Sequence, residues 1–258
     1  MSDGEVVAAD GGFVVRRDGR DQSHVDLDDP TRLAFDYVRR LGDVLDAREP
    51  AGAPLRVVHV GGAGLTLPRY VAATRPRSAQ VVLEPDAALT ALVREALPLP
   101  ARSGIKVRAV EGRTGLAALR EDHAEVVVLD AFDAGRVPGA LVTRECFAGL
   151  ARVLVEDGWA LLNLSDRAPW QHTRRVLAGL AEHLPHLLLT AEPATLKGRR
   201  PGNLVVVATR GRVPEAALRA RRGAVALPYR VLGSREVRDA FGGGRCFTDA
   251  DAEDGPAP

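Results

Sequence analysis

With 258 residues, 46% of them hydrophobic and 27% charged, the chain is long enough for one large α/β domain with a small appendage and argues against two equal domains. Aromatic residues make up only 4%, so the core must be built from Val, Leu and Ala. The 35 basic and 34 acidic side chains leave a net charge of +1, too little field to gather a polyanion or an acidic membrane; the expected partner is a small molecule, with no nucleic acid and no membrane.

The amino terminus, MSDGEVVAADGG, is acidic and lacks the basic start and apolar stretch of a secretory signal, so a cytoplasmic protein is expected. Between Gly12 and Leu27 two strand-like pieces, FVVRR and SHVDL, are joined by Asp18-Gly19, a dipeptide suited to a hairpin turn. Asp29-Pro30 can open a helix, with Leu33, Tyr37, Leu41 and Val44 recurring at helical spacing, and AREPAGAP then reads as a linker. From Leu55 onward apolar runs (RVVHV, AQVVLE, IKVRAV, AEVVVLD, WALLNLS, HLLLT and NLVVVAT) alternate with helical patterns, the signature of a mostly parallel sheet covered on both faces. The helical segments are Pro68 to Thr74, Ala87 to Ala96, Gly115 to Glu121, Leu141 to Leu154 and Pro169 to Leu184. This predicts a Rossmann-like class I methyltransferase fold: seven strands, residues 51–245, preceded by a hairpin and helix in 1–50. The acidic tail, 246–258, is expected to be disordered. No apolar run approaches the ~20 residues of a membrane-spanning helix. Cys146 and Cys246 lie far apart with no C-x-x-C partner, and the six histidines form no metal-ligand pattern, so reduced thiols and no metal are expected. The basic clusters at Lys197–Arg200 and Arg219–Arg222 lack interleaved aromatics and read as solvated surface.

The first strand of the large sheet ends in Gly61-Gly62-Ala63-Gly64, with Thr66 a candidate helix N-cap. Small residues there let a ligand lie against the backbone. Glu84 closes the second strand twenty residues beyond Gly64, the spacing at which a carboxylate accepts hydrogen bonds from both ribose hydroxyls. Leu67 stands where a dinucleotide fingerprint carries its third glycine, so an adenosine ligand without phosphates fits better. Glu111 and Gly112 follow the third strand, where a carboxylate or backbone amide could read an adenine edge; an exposed loop acid is the alternative. The apolar fourth strand delivers Asp130 and Asp133 at its carboxyl end, where open α/β sheets bind ligands, although Asp133 could equally cap a turn.

Taken together, Q-S-x-V-D (Gln22–Asp26), G-G-A-G (Gly61–Gly64), L-E-P-D (Leu83–Asp86), E-G-R (Glu111–Arg113), D-A-F-D (Asp130–Asp133) and T-R-E-C-F (Thr143–Phe147) resemble spermidine synthases and their spermidine synthase-like relatives. The resemblance runs from Gln22 to about Asp166. It implies that Gly61, Gly62 and Gly64 line the donor site, that Glu84 holds the ribose, and that Glu111 replaces the adenine-contacting Asp, beside Gly112. It further implies Asp130 as the catalytic base, Asp133 as the second acid of the D-x-x-D gate, Gln22 before the polyamine pocket, and dimerisation through the amino-terminal hairpin. The implied reaction is aminopropyl transfer from decarboxylated S-adenosylmethionine to a diamine such as putrescine. Asp26 or Asp28 is a further candidate to balance the diamine's charge. Three departures stand out: Gly64 where the family's glycine loop carries Asp, Ala131-Phe132 and Ala134 within the gate, and no Y-H-E triplet after the hairpin. The same sheet and Glu84 would serve a methyltransferase using intact S-adenosylmethionine equally well, and a non-catalytic nucleotide-binding relative is the third reading.

Overall fold

The computed structural model describes residues 4–221 and 229–256; Met1–Asp3, Arg222 of the second basic cluster, and the last two residues of the tail lie outside the described residues. The chain opens with three strands, β1 (Gly4–Ala9), β2 (Gly12–Arg17) and β3 (Arg20–Val25), in an antiparallel sheet of order β1-β2-β3. The expected hairpin is β2–β3. Its Asp18-Gly19 turn has φ of 51° and 72°, and Asp10-Gly11 repeats the device at 53° and 70° to add β1. Two consecutive positive φ angles give a two-residue turn whose twist matches the strands it joins.

The remaining elements alternate: α1 (Asp36–Asp46), β4 (Arg56–Val60), α2 (Thr66–Thr74), β5 (Ala79–Leu83), α3 (Ala87–Ala96), β6 (Ile105–Arg108), α4 (Gly112–Ala117), β7 (Ala124–Leu129), α5 (Arg144–Val153), β8 (Leu154–Asp166), α6 (Gln171–Ala181), β9 (His186–Ala191), α7 (Pro193–Leu196), β10 (Gly202–Thr209), α8 (Glu215–Arg221), β11 (Arg230–Leu232) and α9 (Ser234–Phe241). They build one sheet of order β11-β9-β10-β8-β7-β4-β5-β6. Neighbours from β8 to β6 pair parallel, whereas β10 runs antiparallel to β8 and β9, and β11 antiparallel to β9. The sheet therefore has eight strands where seven were expected; β11 is three residues long, too short for any periodicity to register.

Side-chain parity divides the sheet into two packed faces. Val58, Val60, Val127, Leu129, Leu162 and Leu164 join the layer beneath α5 and α6. Val57, Val126, Val128, Leu161, Val205 and Val207 join the layer beneath α1 and α8. The same parity puts His59, Asp130, Asn163 and Asn203 on the α1 side. The small amino-terminal sheet docks beyond this layer, its Val15 and Val25 packed on Leu65, Val82, Leu89, Val93 and Leu97.

Two local expectations are corrected. The helix expected from Pro30 starts only at Asp36, because residues 26–32 are fixed otherwise. The Asp29 carboxylate accepts from Thr31 N and Oγ1 at 3.0 and 2.5 Å, and Arg32 is held by the Gly11 carbonyl and by Asp26. The tail, expected to be disordered, is packed over residues 246–256. Phe247 is 1% exposed, Arg113 grips Asp249 through both oxygens at 2.7 and 2.5 Å, Arg175 pairs with Asp251, and Gly255 N donates to the Val137 carbonyl at 2.8 Å. One buried aromatic and two matched ion pairs outweigh what the acidic composition suggests.

Among the described residues, no helix is long and apolar enough to cross a membrane.

Candidate active site

A cavity of about 890 Å³ opens at the carboxyl ends of β4, β5 and β7, walled on one side by the amino-terminal sheet. Its floor is the loop after β4. Gly61 has φ +96°, and a Cβ there would meet the Asp130 carbonyl oxygen at 2.3 Å; only glycine lets the two strand ends cross so closely. Gly62 N donates to Glu84 Oε2 at 2.8 Å and Ala63 N to the same oxygen at 3.3 Å, while Asp86 N donates to Oε1 at 2.9 Å. Glu84 is thus oriented by three backbone amides at the carboxyl end of β5, and its remaining lone pairs can accept from a ligand's hydroxyls. Asp86 does what a residue at a helix start does: its carboxylate accepts from Leu89 N at 2.9 Å.

Gly64 does not line the cavity. Its N–H donates to Ser23 Oγ at 3.1 Å, and a Cβ there would press on Ser23, Val15 and Val25, so this glycine seats the amino-terminal sheet. Thr66 is likewise not an N-cap; Leu65 holds that position at φ 60°, and the Thr66 hydroxyl donates to the His24 carbonyl at 2.8 Å.

Asp130 lies across the cavity from Glu84. Asn163 Nδ2, near the carboxyl end of β8, donates to Asp130 Oδ1 at 2.9 Å, and Asn203 Nδ2, from β10, donates to Asn163 Oδ1 at 3.0 Å. The guanidinium of Arg40, on α1, donates to the Asn203 and Thr190 carbonyls and pairs with Asp36 at 2.9 Å. This chain fixes one carboxylate oxygen and leaves the other for the cavity. Burial pushes the Asp130 carboxyl up to about 6, with the Asn163 hydrogen bond opposing it. The Tyr37 phenol stands beside it, held neutral well above its ordinary range by burial and then by the Asp130 charge.

His59, on β4, lines the same side of the cavity. Its Nε2 lies 2.9 Å from Gln80 Oε1, and Gln80 Nε2 donates to the Pro68 carbonyl at 3.0 Å. Gln80 therefore presents an acceptor, which assigns the His59 proton to Nε2. Burial pushes His59 down to about 4, so it is neutral at physiological pH.

At the mouth, Gln22 lines the wall with its amide donating to the Arg20 carbonyl at 3.3 Å. Asp133 is exposed and sits 3.7 Å from an Arg17 nitrogen; Arg17 also lies 3.8 Å from Asp86, so it spans the opening from one rim to the other. Asp26 does not reach the cavity: it accepts from the Asp28 and Asp29 amides and from Arg32 at 3.1 Å. Glu111 and Gly112 line the far end beside Arg113, with Gly112 packed so closely that a Cβ would meet Val60 Cγ1 at 2.3 Å.

Gln22, Gly61, Gly62, Glu84, Glu111, Gly112, Asp130 and Asp133, all expected from the sequence, line one cavity, and Gly64 does not. Tyr37, His59 and Arg17 also line it, and Asn163 and Asn203 stand behind Asp130, none of them expected. A lone Asn inside the apolar run WALLNLS was the available signal for Asn163, since a buried amide needs a partner.

No sequence profile of a known family and no curated protein matches the chain. Among solved structures it is similar to a probable spermidine synthase from Corynebacterium glutamicum ATCC 13032, with a TM-score of 0.89 and 26% identity over 96% of this chain and 95% of that one. It is also similar to a spermidine synthase in complex with the transition state analogue AdoDATO (TM-score 0.63, 16% identity, 93% of this chain and 82% of that one). A third likeness is to human Methyltransferase-like protein 13 in complex with SAH (TM-score 0.57, 19% identity, 84% of this chain and 96% of that one). At such identities the last two speak to the fold alone.

Proposed function

We infer, for a chain that is spermidine synthase-like in fold along nearly its whole length, that it is a transferase moving an aminopropyl group from decarboxylated S-adenosylmethionine to an amine. The observation that carries this is the pairing of Glu84 and Asp130 across one cavity, at the carboxyl ends of β5 and β7. Glu84, held by three amides, would receive the ribose hydroxyls, with Glu111 and Gly112 at the adenine end. Asp130 would take the proton from the acceptor ammonium. The freed lone pair attacks the propyl carbon next to the sulfonium; the C–N bond forms, the C–S bond breaks with its electrons passing to sulfur, and 5′-methylthioadenosine leaves. A carboxyl poised at about 6 is ionised at neutral pH yet basic enough to act as a general base, worth typically ~100 to 10,000-fold. Alignment of two bound reactants contributes further.

A second reading, methyl transfer from intact S-adenosylmethionine, is favoured by one observation: Gly64 faces the amino-terminal sheet, so no carboxylate from that position meets the donor's ammonium. Calorimetric titration with decarboxylated and intact S-adenosylmethionine separates the readings. Aminopropyl transfer requires tighter binding of the decarboxylated donor; preference for the intact one selects methyl transfer, and binding of neither sinks both.

A further inference from the structure

The acceptor end of the cavity lies between the sheet face carrying His59, Val128 and Asp130 and the segments that begin α1 and α2, which contribute Phe35, Tyr37, Val38, Leu67 and Pro68. This follows from parity: His59 pairs with Val128 in register, and Val126 and Val128 belong to the α1-side layer. Asp130, two residues on, opens onto the same side.

Among the described lining residues, this arm holds one ionisable acid, Asp130 itself. The other acids, Glu84, Asp86, Glu111 and Asp133, lie toward the nucleoside end or the mouth. Asp133, which would take the far ammonium of a diamine, lies exposed at the mouth with an Arg17 nitrogen 3.7 Å away, and the same guanidinium stands 3.7 Å from Asp18 and 3.8 Å from Asp86. Two polar groups beside Asp130 are neutral: the Tyr37 phenol, and His59, whose Nε2 proton is committed to Gln80. A second ammonium pushed into this arm would be desolvated with no carboxylate to meet it, which is strongly unfavourable. A hydrocarbon chain there would bury apolar surface against Phe35, Val38, Leu67 and Val128.

Building on the transferase reading, we propose that the acceptor is a primary monoamine with a hydrocarbon tail, its amine at Asp130 and its tail between α1, α2 and the strand face of β4 and β7. Arg17 is the specificity-determining residue at the mouth, keeping Asp133 from rewarding a second ammonium.

The test compares n-butylamine with putrescine, which have the same four-carbon chain, by calorimetry on the full chain both alone and saturated with 5′-methylthioadenosine. Butylamine should bind at least tenfold more tightly, and Arg17→Ala should shift the ratio at least threefold toward putrescine by releasing Asp133. Putrescine binding as tightly as butylamine, or neither amine binding in either state, overturns the proposal. An unchanged ratio in Arg17→Ala overturns the role of Arg17. Failure of 5′-methylthioadenosine to bind would sink the transferase reading separately, because the amine preference is still read on the protein alone.

Discussion

The Glu84 carboxylate accepts from three backbone amides at the carboxyl end of β5. Each backbone amide it accepts from would lose its partner in Glu84→Ala, whereas Glu84→Gln removes the charge, keeps an accepting oxygen for Gly62 N and Ala63 N, and turns its NH2 toward Asp86 N, leaving one donor unmatched. Hydrogen bonds to a charged acceptor contribute roughly 1.5–3 kcal/mol each, so Glu84→Gln should weaken nucleoside binding by at least about tenfold, with a stability cost of about 1–3 kcal/mol from the unmatched Asp86 amide. Asp86→Ala, which removes a helix cap, should instead cost about 1 kcal/mol of stability and less affinity. If Glu84→Gln binds the nucleoside as well as the wild type, Glu84 does not hold the ribose. Asp130 supports a prediction about both activity and stability. Its carboxyl is raised, so the folded state holds that proton more tightly than the unfolded chain, and stability from this group falls as pH rises from the ordinary carboxylate range through about 6. His59 is depressed to about 4, so its contribution is present above the ordinary imidazole range and is lost on acidification through that window. Each effect is on the order of 3 kcal/mol and the two oppose one another. Asp130→Asn removes one side of the balance. The variant should be more stable than the wild type at pH 7 and should lose stability more steeply between pH 6.5 and 4, while single-turnover transfer nearly vanishes and donor binding persists. Wild-type transfer should rise with pH through about 6. Thermal melts across pH and a pH–rate profile check both halves.

Among the secondary elements, the strands of the large sheet were legible because buried parallel strands read as apolar runs bounded by turns. What escaped was what depends on pairing rather than on local pattern. Asn163 and Asn203 are forty residues apart and meet only because β10 folds back antiparallel onto β8, setting Val205 opposite Asn163. Arg17 acts at the cavity mouth only once β2 has docked, and nothing in FVVRR announces it. Strand β1 was hidden in an acidic stretch, and the tail was misjudged because Phe247 is its only large apolar anchor. The loop after β4 shows how strictly local geometry is set: Gly61→Ala would force a Cβ into the Asp130 carbonyl at a positive φ, and should cost more than 2 kcal/mol in urea unfolding or prevent folding. Phe247→Ala should cost about 3–5 kcal/mol by the usual large-to-small penalty, whereas a disordered tail would give none.

For the molecule as a whole, any ligand that binds only the folded state adds stability by mass action. At a hundredfold excess over its dissociation constant, 5′-methylthioadenosine should contribute about 2.7 kcal/mol, or a rise in Tm of roughly 5–11 °C, read by differential scanning fluorimetry. Such a gain need not be spread evenly. The amino-terminal sheet, which walls the cavity, is held to the rest of the chain by Val15 and Val25, by the packing of β1 on α3, by the Gly64–Ser23 and Thr66–His24 hydrogen bonds, by Arg32 on the Asp10 and Gly11 carbonyls, and by Arg17 beside Asp86 and Asp133. Its release exposes far less apolar surface than opening β7 or β8, so it is a partial unfolding event of its own, cheaper than global unfolding. In amide hydrogen exchange, residues 13–25 should therefore exchange well before the central strands. Because ligand and sheet close the same space, bound nucleoside should slow exchange in residues 13–25 most of all, so that the amino-terminal strands record occupancy on a clock that β4, β5 and β7 do not share.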